Sequence, residues 1–327
     1  MIREPGNAEL NLSVFRDKRT VNTYARYQDL QPCEAFLFDK YLRPRMRILD
    51  LGVGAGRTAP VLAAGAASYV GVDYSPEMID VCRSRYPSLV FQIADAVDLS
   101  EFSDGSFDLV VFAFNGLDYL YPDSARRSCI REICRVLERG GLFICSVHNA
   151  LCVFPRSDNE VARIRADYLT SKVSPNWTSA QRACSKAVSA ILRMKSNTSL
   201  AYGNIRHKLF SRVFWKGEGY FYDRTHGGLF TRAAIPHKVR AEMAQFNLEG
   251  IDTVKCEFPQ ESGLFSTAWF YYVFRKQVPM EGHCTNYRSS GKAGRLRSDG
   301  SYSELEHRGN GQSEWANDFI RPARTRL

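Results

Sequence analysis

The sequence predicts an α/β fold built on a doubly wound parallel sheet, and three observations support this. Short apolar runs alternate with amphipathic helical stretches throughout residues 46–149, as in parallel sheets whose strands are joined by helices. The runs are apolar almost without interruption, which is typical of strands buried on both faces. The first run leads directly into a glycine-rich stretch, "DLGVGAGR" at residues 50–57, which indicates a strand-to-helix junction.

Each element of this sheet has its own signal in the sequence. Strand-sized apolar runs predict five strands, at 46–52, 68–73, 89–95, 107–115 and 142–149. A short helix follows the glycine stretch and is expected to end at Gly65. The next helix begins at Ser75, an N-cap serine followed by Pro76. A third is expected over 124–141, where a glycine pair ends it.

Two further regions complete the predicted core, which spans 46–150 and 232–276. The second of these is expected to begin with a helix and to continue as two strands with a short connection. Those strands, "LEGIDTVKCEF" and "STAWFYYVFRK", can pair antiparallel and bring the sheet to seven strands. Before the core, residues 1–45 are predicted to form a helical lid, with one or two helices over 20–42.

Two segments depart from this rhythm. Residues 151–231 contain 13 Lys and Arg but only 5 Asp and Glu, so they hold +8 of the chain's net charge of +9. We expect an insertion here, with a basic helix at 179–195 and a strand and turn at 217–228. Such a basic segment attracts phosphates, nucleic acid or anionic lipid, or is simply a solvated helical surface. Residues 277–327 are poor in large apolar side chains, which predicts a disordered tail.

The composition favours a cytoplasmic location and argues against disulfides and a metal site. The polar first residues contain no apolar stretch that could act as a signal peptide, and no apolar run is long enough to span a membrane. Nine cysteines occur without a C-x-x-C pair, which favours reduced thiols over disulfides or a zinc site. We therefore expect a cytoplasmic protein with no transmembrane segment and no metal.

The glycine stretch predicts a cofactor site of a particular kind. Gly52, Gly54 and Gly56 are spaced G-x-G-x-G, whereas a dinucleotide site uses G-x-G-x-x-G. A phosphate-binding P-loop sequence is absent as well. Asp50, at the head of the stretch, would repel a pyrophosphate and suits a ligand with an ammonium group. The spacing thus argues against an NAD-dependent oxidoreductase.

The ends of the next two strands add candidate contacts. Asp73 ends the second strand 21 residues after Gly52, where a carboxylate can accept both hydroxyls of a ribose; it could instead stabilise the dipole of the following helix. Asp95 ends the third strand and could accept a hydrogen bond from an adenine amine. Met78 could pack on an adenine face or belong to the core.

Together these segments resemble the class I S-adenosylmethionine-dependent methyltransferases. The matching segments are "ILDLGVGAGRT", "VGVDYSPEMIDVCR", "IADAVDL", "FDLVVFAFNGLDYL" and "REICRVLERGGLFICSVHN". The resemblance implies a Rossmann-like sheet of seven strands with the last strand antiparallel, and S-adenosylmethionine across the carboxyl ends of the central strands. It places Asp50 and the three glycines at the methionine end of the cofactor.

The same resemblance suggests roles for the other candidates. Asp73, with the adjoining Tyr74, matches the ribose position, and Asp95 with Ala96 matches the adenine edge. Phe114 and Asn115 end the fourth strand, where donor methyl and acceptor meet. The helical lid would carry Tyr24 and Tyr27. The stretch "FNGLDYL" departs from the [DN]-P-P-[FY] of enzymes that methylate nucleic-acid or glutamine amines, which makes nucleic acid an unlikely partner.

The expected activity is transfer of a methyl group to an oxygen or nitrogen of a small-molecule acceptor, with residues 151–231 as a substrate cap. A hydroxyl acceptor needs a general base, for which His148, Asp118 and the pair Asp223 and His226 are the candidates. Two alternatives remain open: an anionic macromolecule or lipid bound through the basic segment, and a binding protein without catalysis. The acceptor and the oligomeric state are left undetermined by the sequence.

Overall fold

A single mixed sheet organises the part of the chain that the computed structural model describes, residues 7–152, 212–223, 229–260 and 262–278. The strands are β1 (Arg47–Leu51), β2 (Ser68–Asp73), β3 (Val90–Ile93), β4 (Phe107–Phe112), β5 (Leu137–His148), β6 (Glu218–Asp223), β7 (Leu229–Ala234), β8 (Leu248–Lys255) and β9 (Trp269–Lys276). The predicted helix at 179–195, His226 and the predicted tail beyond residue 278 lie outside the described residues.

Helices cover the sheet and precede it. They are α1 (Asn7–Arg16), α2 (Lys18–Arg26), α3 (Pro32–Tyr41), α4 (Ala59–Ala63), α5 (Pro76–Arg85), α6 (Asp123–Val136), α7 (Val213–Lys216) and α8 (Pro236–Ala244), with a 3-10 turn at Gly116–Tyr119. No helix in these described ranges is both long and apolar enough to cross a bilayer.

Among the described residues the sheet has nine strands rather than seven, and the seven strands predicted for the core are all among them. The order of those seven is β3-β2-β1-β4-β5-β9-β8; β1 to β5 are parallel, and β9 runs antiparallel to both β5 and β8. Neighbouring residues of β1 enter different core layers, because successive side chains of a strand point to opposite faces. Ile48 packs with the side chains of α3, α4 and α5, whereas Leu49 packs with those of α6 and α8. Helices therefore cover both faces, as expected of a doubly wound fold.

Two predicted boundaries are wrong. The helix expected over 124–141 ends at Val136, and β5 begins at Leu137, since Leu137 pairs with Phe107 ahead of a register shift in the β4–β5 ladder. Residues 232–234, expected to be helical, belong to β7 and pair with β6; the helix starts only at Pro236. In both places strand pairing overrides the local helix preference.

The β6–β7 hairpin adds two strands to the seven of the predicted core: β6 is the strand expected within 217–228, and β7 was not predicted. On one edge of β5, β9 pairs continuously from Leu142 to His148. On the other edge β4 pairs only as far as Cys145, and β7 takes its place where Ala233 pairs with His148. The hairpin also lies against the 3-10 turn that follows β4. His148, the last residue of β5, therefore pairs with both the β6–β7 hairpin, at Ala233, and the β8–β9 hairpin, at Trp269.

We expect the glycine stretch to be intolerant of alanine for two separable reasons. Gly52 and Gly65 both have left-handed φ angles, +58° and +75°, which cost about 1–2 kcal/mol with any other residue. A Cβ on Gly52 would also lie 2.6 Å from the Phe112 ring, whereas one on Gly65 would meet nothing within 4 Å. Gly52→Ala should therefore lose roughly 2–5 kcal/mol of unfolding free energy, and the control Gly65→Ala only about 1–2 kcal/mol. Equal losses in urea unfolding would contradict this packing argument.

Candidate active site

The glycine-rich turn lies between β1 and α4, at the carboxyl edge of the sheet. All three of its glycines adopt left-handed backbone angles, with φ of +58°, +54° and +81° at Gly52, Gly54 and Gly56. A Cβ on Gly56 would lie 3.0 Å from the Tyr86 ring and 3.1 Å from Cys82 Sγ. The turn is therefore tight for conformational and packing reasons, and its backbone is open to close approach at the tip, near Gly54.

Asp50, in β1, contacts the residue that follows this turn and a residue of β2. Its buried carboxylate accepts hydrogen bonds at Oδ2 from Thr58 Oγ1, at 2.6 Å, and from the Tyr69 hydroxyl, at 2.9 Å. Burial raises the pKa of Asp50 to about 6, even though both hydrogen bonds favour the ionised form. These contacts join the end of the turn to β2. Contact between Asp50 and an ammonium group stays a prediction.

Asp73 links the same turn to the next one. Its Oδ2 accepts the Gly54 N–H and its Oδ1 accepts the Ser75 N–H, both at 2.9 Å. Burial raises the pKa of Asp73 to about 6 as well. Ser75 is the N-cap of α5. The contact of Asp73 with Ser75 places its carboxylate at the start of that helix, as the alternative role in stabilising the helix dipole requires. The ribose contact stays a prediction.

The remaining cofactor candidates occupy different surroundings. Met78 is buried and packs against Val21 and Ala55, so its contacts are those of a core residue. Asp95 is exposed, and its Oδ1 accepts the Val97 N–H at 3.1 Å. Ala96 packs on the core layer under α6. The roles proposed for these residues beside adenine are not tested by these contacts.

The N-terminal helices lie over the turn. The ring of Phe15 in α1 makes edge-to-face contacts with Tyr24 of α2, Tyr74 and Tyr119, at centroid distances of 6.0, 6.2 and 5.5 Å. Arg85 of α5 donates to the carbonyls of Ala25 and Ala55. The predicted aromatic Tyr24 is thus close to the site, whereas Tyr27 is exposed. The sequence predicted individual helices only over 20–42, so α1 was not predicted. This helix holds Phe15, the ring that the other three contact.

Phe114 and Asn115 follow β4 with two successive left-handed residues, at φ of 54° and 64°. Such angles are costly for residues with a Cβ and persist only where surrounding contacts hold them. Here the Phe114 N–H donates to the Tyr271 hydroxyl at 3.3 Å, and the Asn115 N–H donates to Ser146 Oγ at 2.7 Å. The strained backbone directs both side chains to the carboxyl end of the sheet, as expected of a functional turn.

His148 and Asp118 form a dyad. Asp118 Oδ2 accepts the His148 backbone N–H at 2.7 Å and lies 2.9 Å from Nδ1 of its ring. Because an ionised carboxylate only accepts, Nδ1 carries the proton and Nε2 becomes the acceptor. Nε2 lies 3.2 Å from Asn115 Nδ2, which donates to it. The sequence indicated these three residues separately, and the structure brings them together.

Behind the dyad lies a fully buried arginine that sequence reasoning missed. Arg126 of α6 donates to Asp118 Oδ1 at 3.2 Å and to the Leu117 carbonyl at 2.8 Å, and it forms two hydrogen bonds with Glu242 of α8. A signal was present, because Arg126 precedes the buried Ile130 by four residues and so lies on the apolar face of its helix. A charged residue on such a face is expected to have a buried partner.

Three aromatic rings lie around His148. The ring centroids of Tyr119, Phe221 and Trp269 are 6.3 to 6.4 Å from that of the imidazole. Two residues that contact His148 each hold a buried polar atom, Asn115 Oδ1 and Trp269 Nε1, that has no hydrogen-bond partner among the described residues. Unpartnered buried polar atoms are rare and point to a missing ligand or water. These residues therefore offer one acceptor and one donor to a bound molecule.

The third candidate for the general base is only partly described. Asp223 ends β6 and is buried, and its charge contributes to the raised pKa values of Tyr24 and Tyr119, although burial of these two hydroxyls is the larger cause. Asp223 thus lies near the site. His226 lies outside the described residues, so the predicted pair cannot be assembled from them.

Comparison with known proteins assigns this architecture to a family. Residues 48–141, from β1 through the dyad turn into β5, match the family model described as "Methyltransferase domain". This segment is a class I S-adenosylmethionine-dependent methyltransferase domain. S-adenosylmethionine is accordingly its cofactor.

Relatives of the methyltransferase domain align over the same region. A demethylmenaquinone methyltransferase of Clavibacter sepedonicus is 34% identical over 133 residues, 40% of this chain and 50% of that protein. A probable S-adenosylmethionine-dependent methyltransferase of Mycobacterium tuberculosis is 33% identical over 129 residues, 38% of this chain and 45% of that protein. The chain thus spans about half the length of these curated relatives.

Similar solved structures extend over more of the chain. A 1,6-didemethyltoxoflavin-N1-methyltransferase of Burkholderia thailandensis, with S-adenosylhomocysteine bound, is 15% identical. The match covers 83% of this chain and 87% of that one, with a TM-score of 0.49.

The residues of the methyltransferase domain fit this cofactor. The left-handed glycines leave the backbone at the tip of the turn without a Cβ, with Tyr24 the nearest side chain, 3.7 Å from a Cβ built on Gly54. Asp73 places a carboxylate beside that tip. The first helical N–H groups of α4 follow the turn, where a polar ligand end is favoured. Donors, acceptors and open backbone therefore coincide at the carboxyl edge.

Loss of the buried arginine behind the dyad should destabilise the domain strongly. Arg126→Leu leaves the buried Asp118 without its arginine and Glu242 with Arg232 as its remaining cation; loss of one partner of a buried ion pair costs about 3–5 kcal/mol. The neighbouring Arg127 offers a matched control, because it bonds with Gln245 at the surface; Arg127→Leu should cost less than about 1 kcal/mol. Both values come from chemical unfolding, and similar losses in the two variants would refute the buried network.

Proposed function

We propose that the chain is an S-adenosylmethionine-dependent methyltransferase that acts on a small molecule, and that its acceptor atom is a hydroxyl oxygen. The observation that carries this proposal is the Asp118–His148 dyad at the carboxyl ends of β4 and β5. An amine that binds neutral needs no base, whereas a hydroxyl must lose its proton during transfer. A histidine oriented by a buried carboxylate supplies that function, so among oxygen and nitrogen acceptors the dyad favours oxygen.

The cofactor supplies an electrophilic methyl group, and the chain supplies the rest. The Gly52–Gly56 turn and Asp73 would hold its amino-acid end and ribose. Asp118 keeps the proton of His148 on Nδ1, which leaves Nε2 free to take the proton of the acceptor hydroxyl once Asn115 Nδ2 yields its place. The resulting imidazolium is stabilised by the Asp118 carboxylate. Asp118 is a positioning residue, and His148 is the catalytic base.

Arg126 would hold that carboxylate in place. Its guanidinium contacts both Asp118 and Glu242, so the buried carboxylate beside His148 has a buried positive partner.

The surroundings favour a small acceptor. The aromatic rings near His148 and the helices over the turn would exclude water from the reacting atoms and align them, which contributes up to roughly 7–11 kcal/mol in favourable reactions. The similarity to a demethylmenaquinone methyltransferase is compatible with this proposal. The seven cysteines in the described residues are all free thiols, which supports a cytoplasmic location.

Cofactor affinity should depend on pH through Asp73. Ribose hydroxyls donate to the ionised carboxylate, and its pKa is raised to about 6, so protonation below that pH removes an acceptor. We expect affinity for S-adenosylmethionine to rise between about pH 5 and pH 7 and then to level off. Asp73→Asn should weaken binding about 10- to 100-fold and abolish this dependence, as measured by isothermal titration calorimetry.

The buried Asp50 provides the matched control for that experiment, because its pKa is also raised to about 6. Asp50→Asn keeps an oxygen for Thr58 and Tyr69 and should retain the pH dependence. A profile that survives in Asp73→Asn and disappears in Asp50→Asn would reassign the titrating contact to Asp50.

Removal of the base should reduce turnover without preventing cofactor binding. For His148→Gln and Asp118→Asn we expect methyl transfer to fall about 10²- to 10⁴-fold, followed as label passed from the cofactor to small molecules of a cell extract. The exposed His237 serves as control, since His237→Gln should leave transfer unchanged. If His148→Gln retains full transfer while still binding the cofactor, the dyad is not the base.

A further inference from the structure

An exposed apolar surface lies apart from the dyad and has no role in the chemistry described above. Trp215 of α7 is 73% exposed, and Leu264 and Phe265, in the loop before β9, are 40% and 51% exposed. The Phe214 ring joins them, with its centroid 5.1 Å from that of Trp215 and 6.4 Å from that of Phe265. The three rings, with Leu264 next to Phe265 in the chain, are called the aromatic patch. A contiguous exposed patch of this kind marks an interaction surface far more often than scattered apolar residues do.

The patch is built on well-anchored backbone. Asn149 Nδ2 donates to the carbonyls of Leu264 and Thr267, at 2.6 and 2.9 Å. Val213, at the start of α7, is buried in a cluster with Ala150 and Phe221. Residues 149 and 150 directly follow His148, so the segment that carries the dyad also holds the patch. The rings therefore project from a fixed base.

The charges beside the patch are positive. Arg212 and Lys216 flank Val213, Phe214 and Trp215, both are exposed, and neither forms an ion pair with a described residue. In sequence they belong to residues 151–231, whose net charge is +8. Exposed Trp, Phe and Leu next to exposed Arg and Lys is the composition of protein surfaces that lie at the boundary of an anionic bilayer.

We propose that the aromatic patch, Phe214, Trp215, Leu264 and Phe265, docks on the surface of an anionic lipid bilayer. The rings enter the boundary between headgroups and acyl chains, and Arg212 and Lys216 bind lipid phosphates. The proposed attachment is peripheral, because it uses four surface side chains and two cations. A nucleic acid would use the two cations and stack bases on Trp215 and Phe265, but it would not bury the aliphatic Leu264. The docking does not depend on the proposed activity.

Sedimentation of the full-length protein with lipid vesicles tests this. Vesicles of phosphatidylcholine with one part in four phosphatidylglycerol should carry the protein down, and vesicles of phosphatidylcholine alone should do so more weakly. Trp215→Ser combined with Phe265→Ser should reduce the vesicle-bound partition coefficient by about tenfold or more. Val90→Ser combined with Val278→Ser, two exposed apolar residues elsewhere, should have no effect.

Two further measurements keep the outcomes distinct. The Trp215→Ser, Phe265→Ser double variant is the patch variant. Its affinity for S-adenosylmethionine, measured by calorimetry, and its thermal unfolding midpoint should equal those of the wild type, which would show that it is folded. Among the four tryptophans of the chain, Trp215 should account for a blue shift of fluorescence on vesicle addition, lost in Trp215→Phe. Equal sedimentation of wild type and patch variant, or binding to RNA but not to vesicles, would overturn the proposal.

Discussion

The buried carboxylate of Asp118 is the contact on which the site depends. It lies at the end of the 3-10 turn after β4, accepts the backbone and ring N–H groups of His148, and meets the guanidinium of Arg126. A carboxylate removed from water is expensive unless hydrogen bonds and an opposite charge compensate for it. Here His148 of β5 and Arg126 of α6 supply that compensation, so the charge that contacts the His148 ring also joins these two elements to the turn.

A second set of contacts joins the glycine-rich turn to the residues that follow β4. Arg57, the last residue of "DLGVGAGR", pairs with the buried Glu34 of α3 and lies 5.3 Å from the Phe114 ring centroid. Glu34 also accepts from the Tyr271 hydroxyl, which in turn accepts the Phe114 N–H. Cofactor turn, N-terminal helix, β9 and the strained residues after β4 are thereby joined, so the two left-handed residues have support from both directions.

Much of the fold and half of the site could be predicted from local pattern. Strand-sized apolar runs, an N-cap serine and glycine spacing act over a few residues, so they survive without knowledge of the tertiary structure. The same reasoning failed where distant pairing overrode local preference, as at residues 232–234, which are strand because β6 lies beside them. It named His148 and Asp118 as separate candidates and omitted Arg126, because their meeting depends on where β4, β5 and α6 pack.

The sequence by itself determined the doubly wound core, the strand-to-helix turn at Gly52–Gly56 and, through its resemblance to class I methyltransferases, the cofactor. Those features are encoded by neighbours in the chain. The tertiary structure alone decided which groups face one another: Asp118 and His148 are 30 positions apart, and Arg126 and Glu242 are 116 apart. Such contacts form only after the sheet has assembled, because burial and strand register, rather than local propensity, bring their elements together.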